Sequence, residues 1–252
     1  MDLLLRQRVV ILAALAGIVA LAWLYLFLAA ADMTAAMGGM DRTMVMPPKG
    51  AVDLLLLFAM WLVMMVGMML PSVAPVILTF ATVNRSRRAR GEPYVPVALF
   101  TAGYLLAWAG FSLAATLAQW ALERAALLSP MDMTIDSRLL SGLLFLAAGL
   151  YQFTPVKLAC LSFCRSPLDF VVNHWRDGPG GALRMGVTHG LYCLGCCWIL
   201  MMLLFVGGVM NLLWVAALAA VVLVEKLTPG PWVGRIGGAV LAAYGVWLLA
   251  MG

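Results

Sequence analysis

The sequence predicts an all-α fold, a polytopic transmembrane bundle of about seven helices. Three observations lead there. Of 252 residues, 65% are apolar and only 11% are charged, less than half the roughly 25% of an ordinary soluble domain. Mean hydropathy is +1.02. The apolar residues also run in long continuous stretches, not in the alternating pattern of a membrane barrel. Such a chain cannot cover a soluble surface, which excludes a soluble enzyme, a disordered tail protein and a disulfide-framework secreted domain.

The first span is expected at residues 9–31, behind Arg6 and Arg8. Ala29, Ala30 and Ala31 resemble a signal-peptidase site, but the apolar run is too long for a signal peptide core and reads as an uncleaved anchor. Further spans are expected at 53–82, 95–122 and 139–156. No charged residue occurs in the 40 positions 185–224, which are too many for one span at 1.5 Å per residue. Gly207, Gly208 and Asn211 are turn formers and mark the break between two helices. The last span covers 234–250. Pro71 and Pro75 are expected to kink or end the second.

Charge orients the bundle. With the N-terminus in the cytoplasm and the C-terminus outside, 12 of the 16 Lys and Arg fall in inner segments, leaving only Arg42, Lys49, Arg124 and Arg138 outside. The same bias accounts for the +5 net charge without nucleic acid as a partner. The expected location is a bacterial inner membrane, with 1–252 as one transmembrane domain. Residues 32–50 form a Met-rich outer loop. Residues 157–184 form a cytoplasmic loop whose stretch 167–175 lies along the interface.

No carboxylate, Lys or Arg is expected well inside the hydrocarbon, since Glu225 and Lys226 fall at the inner end of the sixth span. That argues against an ion-coupled carrier. No phosphate-binding loop, nucleophile elbow or HExxH motif occurs, so neither an ATPase nor a hydrolase of either type has support.

Sulfur stands where charge is missing: 18 Met and 5 Cys. Met60, Met64 and Met68 are four apart and share a helix stripe, with Met65 and Met69 beside it. Met33, Met37, Met40, Met44 and Met46 precede that helix, and Met131 and Met133 lie in another outer segment. Thioether sulfur suits Cu(I), but Met is also an ordinary filler of helix cores. His189, Cys193 and Cys197 follow at i, i+4 and i+8, with Cys196 adjacent and Met201 continuing the face. Counting along the helix places Cys196 and Cys197 about 17 Å from Met185, near mid-bilayer. Vicinal thiols with an imidazole bind Cu(I) or Zn(II); Cys193 and Cys196 are also a C-x-x-C, the spacing of thiol–disulfide chemistry. Cys160 and Cys164 form a C-x3-C at the inner end of the fourth span, beside Lys157 and Arg165. His174 reads as a lone surface histidine.

Three blocks, MWLVMMVGMMLPSVAP, YQFTPVKLACLSFCRSP and HGLYCLGCCWILMMLLFVGGVMNLLWV followed by VEKLTP, resemble a bacterial family of predicted metal-binding integral membrane proteins. The resemblance runs from Met60 to Pro229. It implies metal binding without naming the metal, with Cys160, Cys164, Cys193, Cys196 and Cys197 as the ligands.

The reading that follows is an inner-membrane soft-metal protein, for Cu(I) above other soft or borderline ions such as Zn(II) or Hg(II). The ligands Met60, Met64, Met68, His189, Cys193, Cys196, Cys197, Met201, Cys160 and Cys164 would form a gradient from outer thioether to mid-membrane Cys and His to an inner Cys pair. Its partners would be the bilayer, the ion, and a soluble metal-carrying or thiol protein or a second copy. Two other classes stay open: a membrane thiol–disulfide relay, and a structural subunit whose sulfur is packing.

Overall fold

The computed structural model describes residues 2–38, 50–128, 133–135 and 137–251, with the side chains of the first helix described from 5 to 32. The described residues form ten helices: α1 (Asp2–Gly38), α2 (Ala51–Arg88), α3 (Val97–Arg124), α4 (Arg138–Tyr151), α5 (Pro155–Arg165), α6 (Pro167–Asn173), α7 (Gly178–Met202), α8 (Leu204–Gly207), α9 (Leu212–Leu227) and α10 (Trp232–Ala250). Five of them, α1, α2, α3, α7 (continued through α8) and α10, contain stretches long and apolar enough to cross a membrane. Large apolar side chains such as Leu21, Phe27, Val240 and Leu213 face outward, which suits a lipid surround.

The expected fourth span is two helices. α4 ends at Tyr151, and α5 starts afresh at Pro155 after a bend of 63°; together they amount to a sixth candidate span. Thr154 caps α5 by accepting from Lys157 N, and Pro155 fits the first helical turn, where no amide is needed. The expected sixth span is α9, whose 16 residues fall just short of the about 17 a span usually needs. It starts where the turn formers stand: Gly208 takes φ of +92°, and Asn211 caps the helix by accepting from Trp214 N. α2 runs through Pro71 and Pro75 without a break.

The expected cytoplasmic loop 157–184 is mostly helical. In α6, Phe170 and Val171 are buried while Leu168 and Val172 face out. Trp175, just beyond, stacks on Phe80 of α2, so this stretch is clasped to the bundle on one side. The expected outer loop 32–50 begins inside α1. Residues 39–49 and the side chains of Met33 and Met37 lie outside the described residues, as does Met131. The described Met133 accepts a long contact from Gln119 Nε2 at 3.5 Å.

Two helix pairs meet backbone to backbone. A Cβ at Gly103 would strike the Leu183 carbonyl, and one at Gly186 the Phe100 carbonyl, so α3 and α7 touch only because these positions lack side chains. Gly142, Gly149, Gly238 and Gly245 do the same between α4 and α10.

The interior also departs from expectation in its charge. Lys157, Glu225 and Lys226 are all buried, at 1%, 2% and 6% exposure. The bend before α5 turns Lys157 inward, and in the last turn of α9 Glu225 and Lys226 face the core while Val224 and Leu227 face out. Lys157 Nζ pairs with Glu225 Oε2 at 2.7 Å and also meets Gln152 Oε1. Arg165 covers the Glu225 carbonyl through Nε and Nη2, at 3.0 and 2.7 Å.

Candidate metal centre

The segment His189 to Met201 lies in the uninterrupted helix α7, where His189, Cys193, Cys196, Cys197 and Met201 are all buried. Cys196 Sγ and Cys197 Sγ each donate to the Cys193 carbonyl at 3.0 Å. This back-bond to the preceding turn is how a short polar side chain satisfies itself inside a helix. Cys193 Sγ is placed differently. It accepts from Lys226 Nζ at 2.8 Å and lies 3.1 Å from Tyr104 Oη. Lys226 also donates to Ser72 Oγ at 3.0 Å, and Tyr104 to the Met69 carbonyl at 3.2 Å. Two polar side chains, from α9 and α3, therefore tie α2 to the sulfur on α7.

α5 brings the other thiols to the same place. Cys164 is buried on α5, on the side that packs against the cysteine stretch of α7. Cys160 is half-buried, and its Sγ lies 2.7 Å from where a Cβ on Gly195 would stand. Glycine between the α7 cysteines is thus what lets α5 close in. All five cysteines are free thiols. α5 bends back against α7, so the pair on α5 packs alongside the trio on α7 instead of at a separate level.

His189 stands one turn before Cys193 among Phe170, Tyr104 and Phe100, with ring centroids 4.7, 6.0 and 6.3 Å away. Its Nδ1 is buried and has no hydrogen-bond partner among the described residues. An orphan ring nitrogen of this kind costs about 1–3 kcal/mol, and a bound cation would relieve it. His174 is half-buried and also stacks on Phe170, at 4.9 Å, instead of standing on the open surface.

Met60, Met64 and Met68 are buried in the apolar core. So are Met65, Met69, Trp61 and Leu70 on the same helix, so α2 is enclosed over a wide arc and its methionines also serve as packing. Met201 is buried one turn past Cys197.

Lys226, Tyr104 and Ser72 were missed by reasoning from spacing, since they reach Cys193 only through tertiary packing. The signal that was available is Gly195, a glycine inside a cysteine motif, which marks close approach of another element. Among the described residues no three His, Cys, Asp or Glu side chains converge into a ready-made cation cage, whereas tetrahedral Zn(II) wants four ligands. The donors at hand are thiols with one unused imidazole nitrogen. That is a soft set, and Cu(I) needs only two thiolates from it.

No curated protein and no solved structure matches the chain. One family model does, over residues 58–248, which takes in α3 to α9 whole and most of α2 and α10, and so every cysteine and both buried lysines. By that match the chain belongs to the PpoB2 family, described as copper chaperones.

Proposed function

We propose that this protein is a multi-pass copper chaperone of the bacterial inner membrane that holds Cu(I) on the thiols around Cys193 and passes it on. The observation that carries the reading is the buried Cys193 thiol held against the ammonium of Lys226, in a stretch of α7 that also buries Cys196 and Cys197 and against which α5 packs with Cys160 and Cys164. Cu(I) held by two thiolates has a net charge of −1. A buried −1 complex is costly, and Lys226 Nζ at 2.8 Å supplies the opposite charge. Cys193 is the shared ligand in this reading. Cys164, Cys196 or Cys197 completes the pair, and His189 lies one turn away as an auxiliary donor. Loading displaces thiol protons. Release follows by stepwise exchange of one sulfur for a partner's, with half-buried Cys160 at the rim of the cluster.

In the membrane the reading takes seven spans with the N-terminus inside, supported by the 12-to-4 division of basic residues. α9 then crosses as a short helix and α4 with α5 as a bent one. Met60, Met64 and Met68 provide a thioether approach from the outer side.

Titration with Cu(I) under reducing conditions tests the proposal. The wild type should bind Cu(I) tightly. Cys193→Ser should lose that binding, and the Cys196→Ser/Cys197→Ser pair should weaken it sharply, while both variants stay folded: serine at 196 and 197 can form the same back-bond, and serine at 193 can still accept from Lys226. Equal stoichiometry and affinity in all three would return the sulfur to packing. The packing of α5, with Cys160 and Cys164, against the cysteine stretch of α7 also favours a second reading, a thiol–disulfide relay. That reading requires a reversible α5–α7 disulfide and activity in metal-free protein.

A further inference from the structure

The basic residues at the far end of α2 do not all serve the same purpose. Arg87 is neutralised by Glu92 and, at 2.7 Å, by Asp177, and it lies over the Trp175 ring. Arg90 is 3.7 Å from Glu92. Arg6 and Arg88 have no carboxylate partner among the described residues. With Arg85 they line a cavity of about 830 Å³ between the start of α1, the end of α2 and the start of α3.

The cavity is built. Buried Asn84 clasps the α2–α3 connection in both directions, donating to the Val95 carbonyl at 2.6 Å and accepting from Val95 N at 3.3 Å. That clasp fixes neighbouring Tyr94 as a wall, and Arg88 is held over the Tyr94 ring at 5.0 Å. Arg85 reaches across to α1, donating to Gln7 Oε1 at 3.1 Å. Among the described residues no carboxylate lines the cavity, and its remaining walls include Val10, Ile11 and Val97.

We propose that this cavity binds the phosphate headgroup of an anionic glycerophospholipid. Guanidinium groups match phosphate oxygens in geometry and charge. Basic pockets between membrane helices at the cytoplasmic face are where such headgroups dock. A free phosphate ion would use the arginines alone. A phospholipid also uses the valine and isoleucine wall, which continues down the apolar flank of α1 where Leu12 and Ile18 face outward. The site lies apart from the thiol cluster and does not depend on what that cluster binds.

The test is the phospholipid retained by full-length protein purified from nanodiscs containing phosphatidylglycerol or phosphatidylcholine. Arg6→Gln/Arg88→Gln is compared with Arg8→Gln/Arg184→Gln, which removes the same charge from exposed positions outside the cavity. The wild type and the control pair should retain phosphatidylglycerol over phosphatidylcholine. The cavity pair should bind it on the order of thirtyfold more weakly, the worth of about two arginine contacts at a membrane surface. Equal loss in both pairs would reduce the effect to general surface charge and overturn the proposal. Equal retention of the two lipids by the wild type, or full displacement of phosphatidylglycerol by inorganic phosphate at matched concentration, would overturn it as well. Circular dichroism on each variant keeps misfolding from being read as lost binding.

Discussion

Lys157 and Lys226 are both buried in one packed region, and they meet different anions. Lys157 faces a carboxylate, Glu225, with Gln152 and the Arg165 contact closing the arrangement. Lys226, the next residue after Glu225, faces a thiol and a hydroxyl, Cys193 and Ser72. A carboxylate is ionised at neutral pH wherever it is not forced otherwise; a thiol, with an ordinary pKa near 8.5, mostly is not. The first lysine therefore has its counter-charge built in. The second finds a full one only when the sulfur is ionised, which is the state a metal ligand must adopt. One pair holds the helices together; under the proposed function the other is a charge available to a loaded site.

That contrast can be broken most severely at Lys157. Lys157→Met strands Glu225 in the interior, and breaking a buried pair by removing one partner costs about 3–5 kcal/mol. Thermal unfolding in detergent should show that loss, while copper stoichiometry in the folded fraction stays at the wild-type value. Adding Glu225→Gln should recover part of the stability; no recovery would mean that the two side chains do not act as a pair.

Lys226→Met should give the opposite profile. Cys193 can stay a neutral thiol, so no charge is stranded, and the stability cost should stay below that of Lys157→Met. Cu(I) affinity should fall about tenfold to a hundredfold, as one lost opposing charge in a partly screened interior would give. Competition titration against a Cu(I) chelator measures this, and an unchanged affinity would remove Lys226 from the site. The smallest effect is expected from Met64→Leu/Met68→Leu. A volume-conserving swap of this kind costs less than about 1.5 kcal/mol, and binding at the thiol cluster should not change. A slower rate of copper capture from the outer side would separate thioether function from packing.

The sequence made the helices legible because their signals are local. The uncharged run 185–224 and its turn formers mark the α7–α9 break, and His189, Cys193 and Cys197 fall on one face by spacing alone. What stayed hidden depends on elements meeting. Pro155 after Thr154 reads equally well as a loop or as a helix start, so the return of α5 that brings Cys164 against α7 was not visible. Lys226 beside Thr228 and Pro229 looks like an interface anchor until the last turn of α9 is seen to face inward. Tyr104 sits in a helix whose neighbour could not be inferred from its own pattern.

The glycine seam between α3 and α7 has a mechanical consequence. Gly103, Gly186 and Gly190 bring the two helices into contact with almost no side chain between them, so there is little there that can change rotamer and α7 has no slack on that side. Cys193 rides on a stiff plate. Cys164, by contrast, arrives on an 11-residue helix hinged by short turns before Pro155 and at Ser166. α5 is itself pinned to α9, through Lys157 on the Glu225 carboxylate and Arg165 on its carbonyl, so the distance of Cys164 from that plate is set by how α9 seats α5.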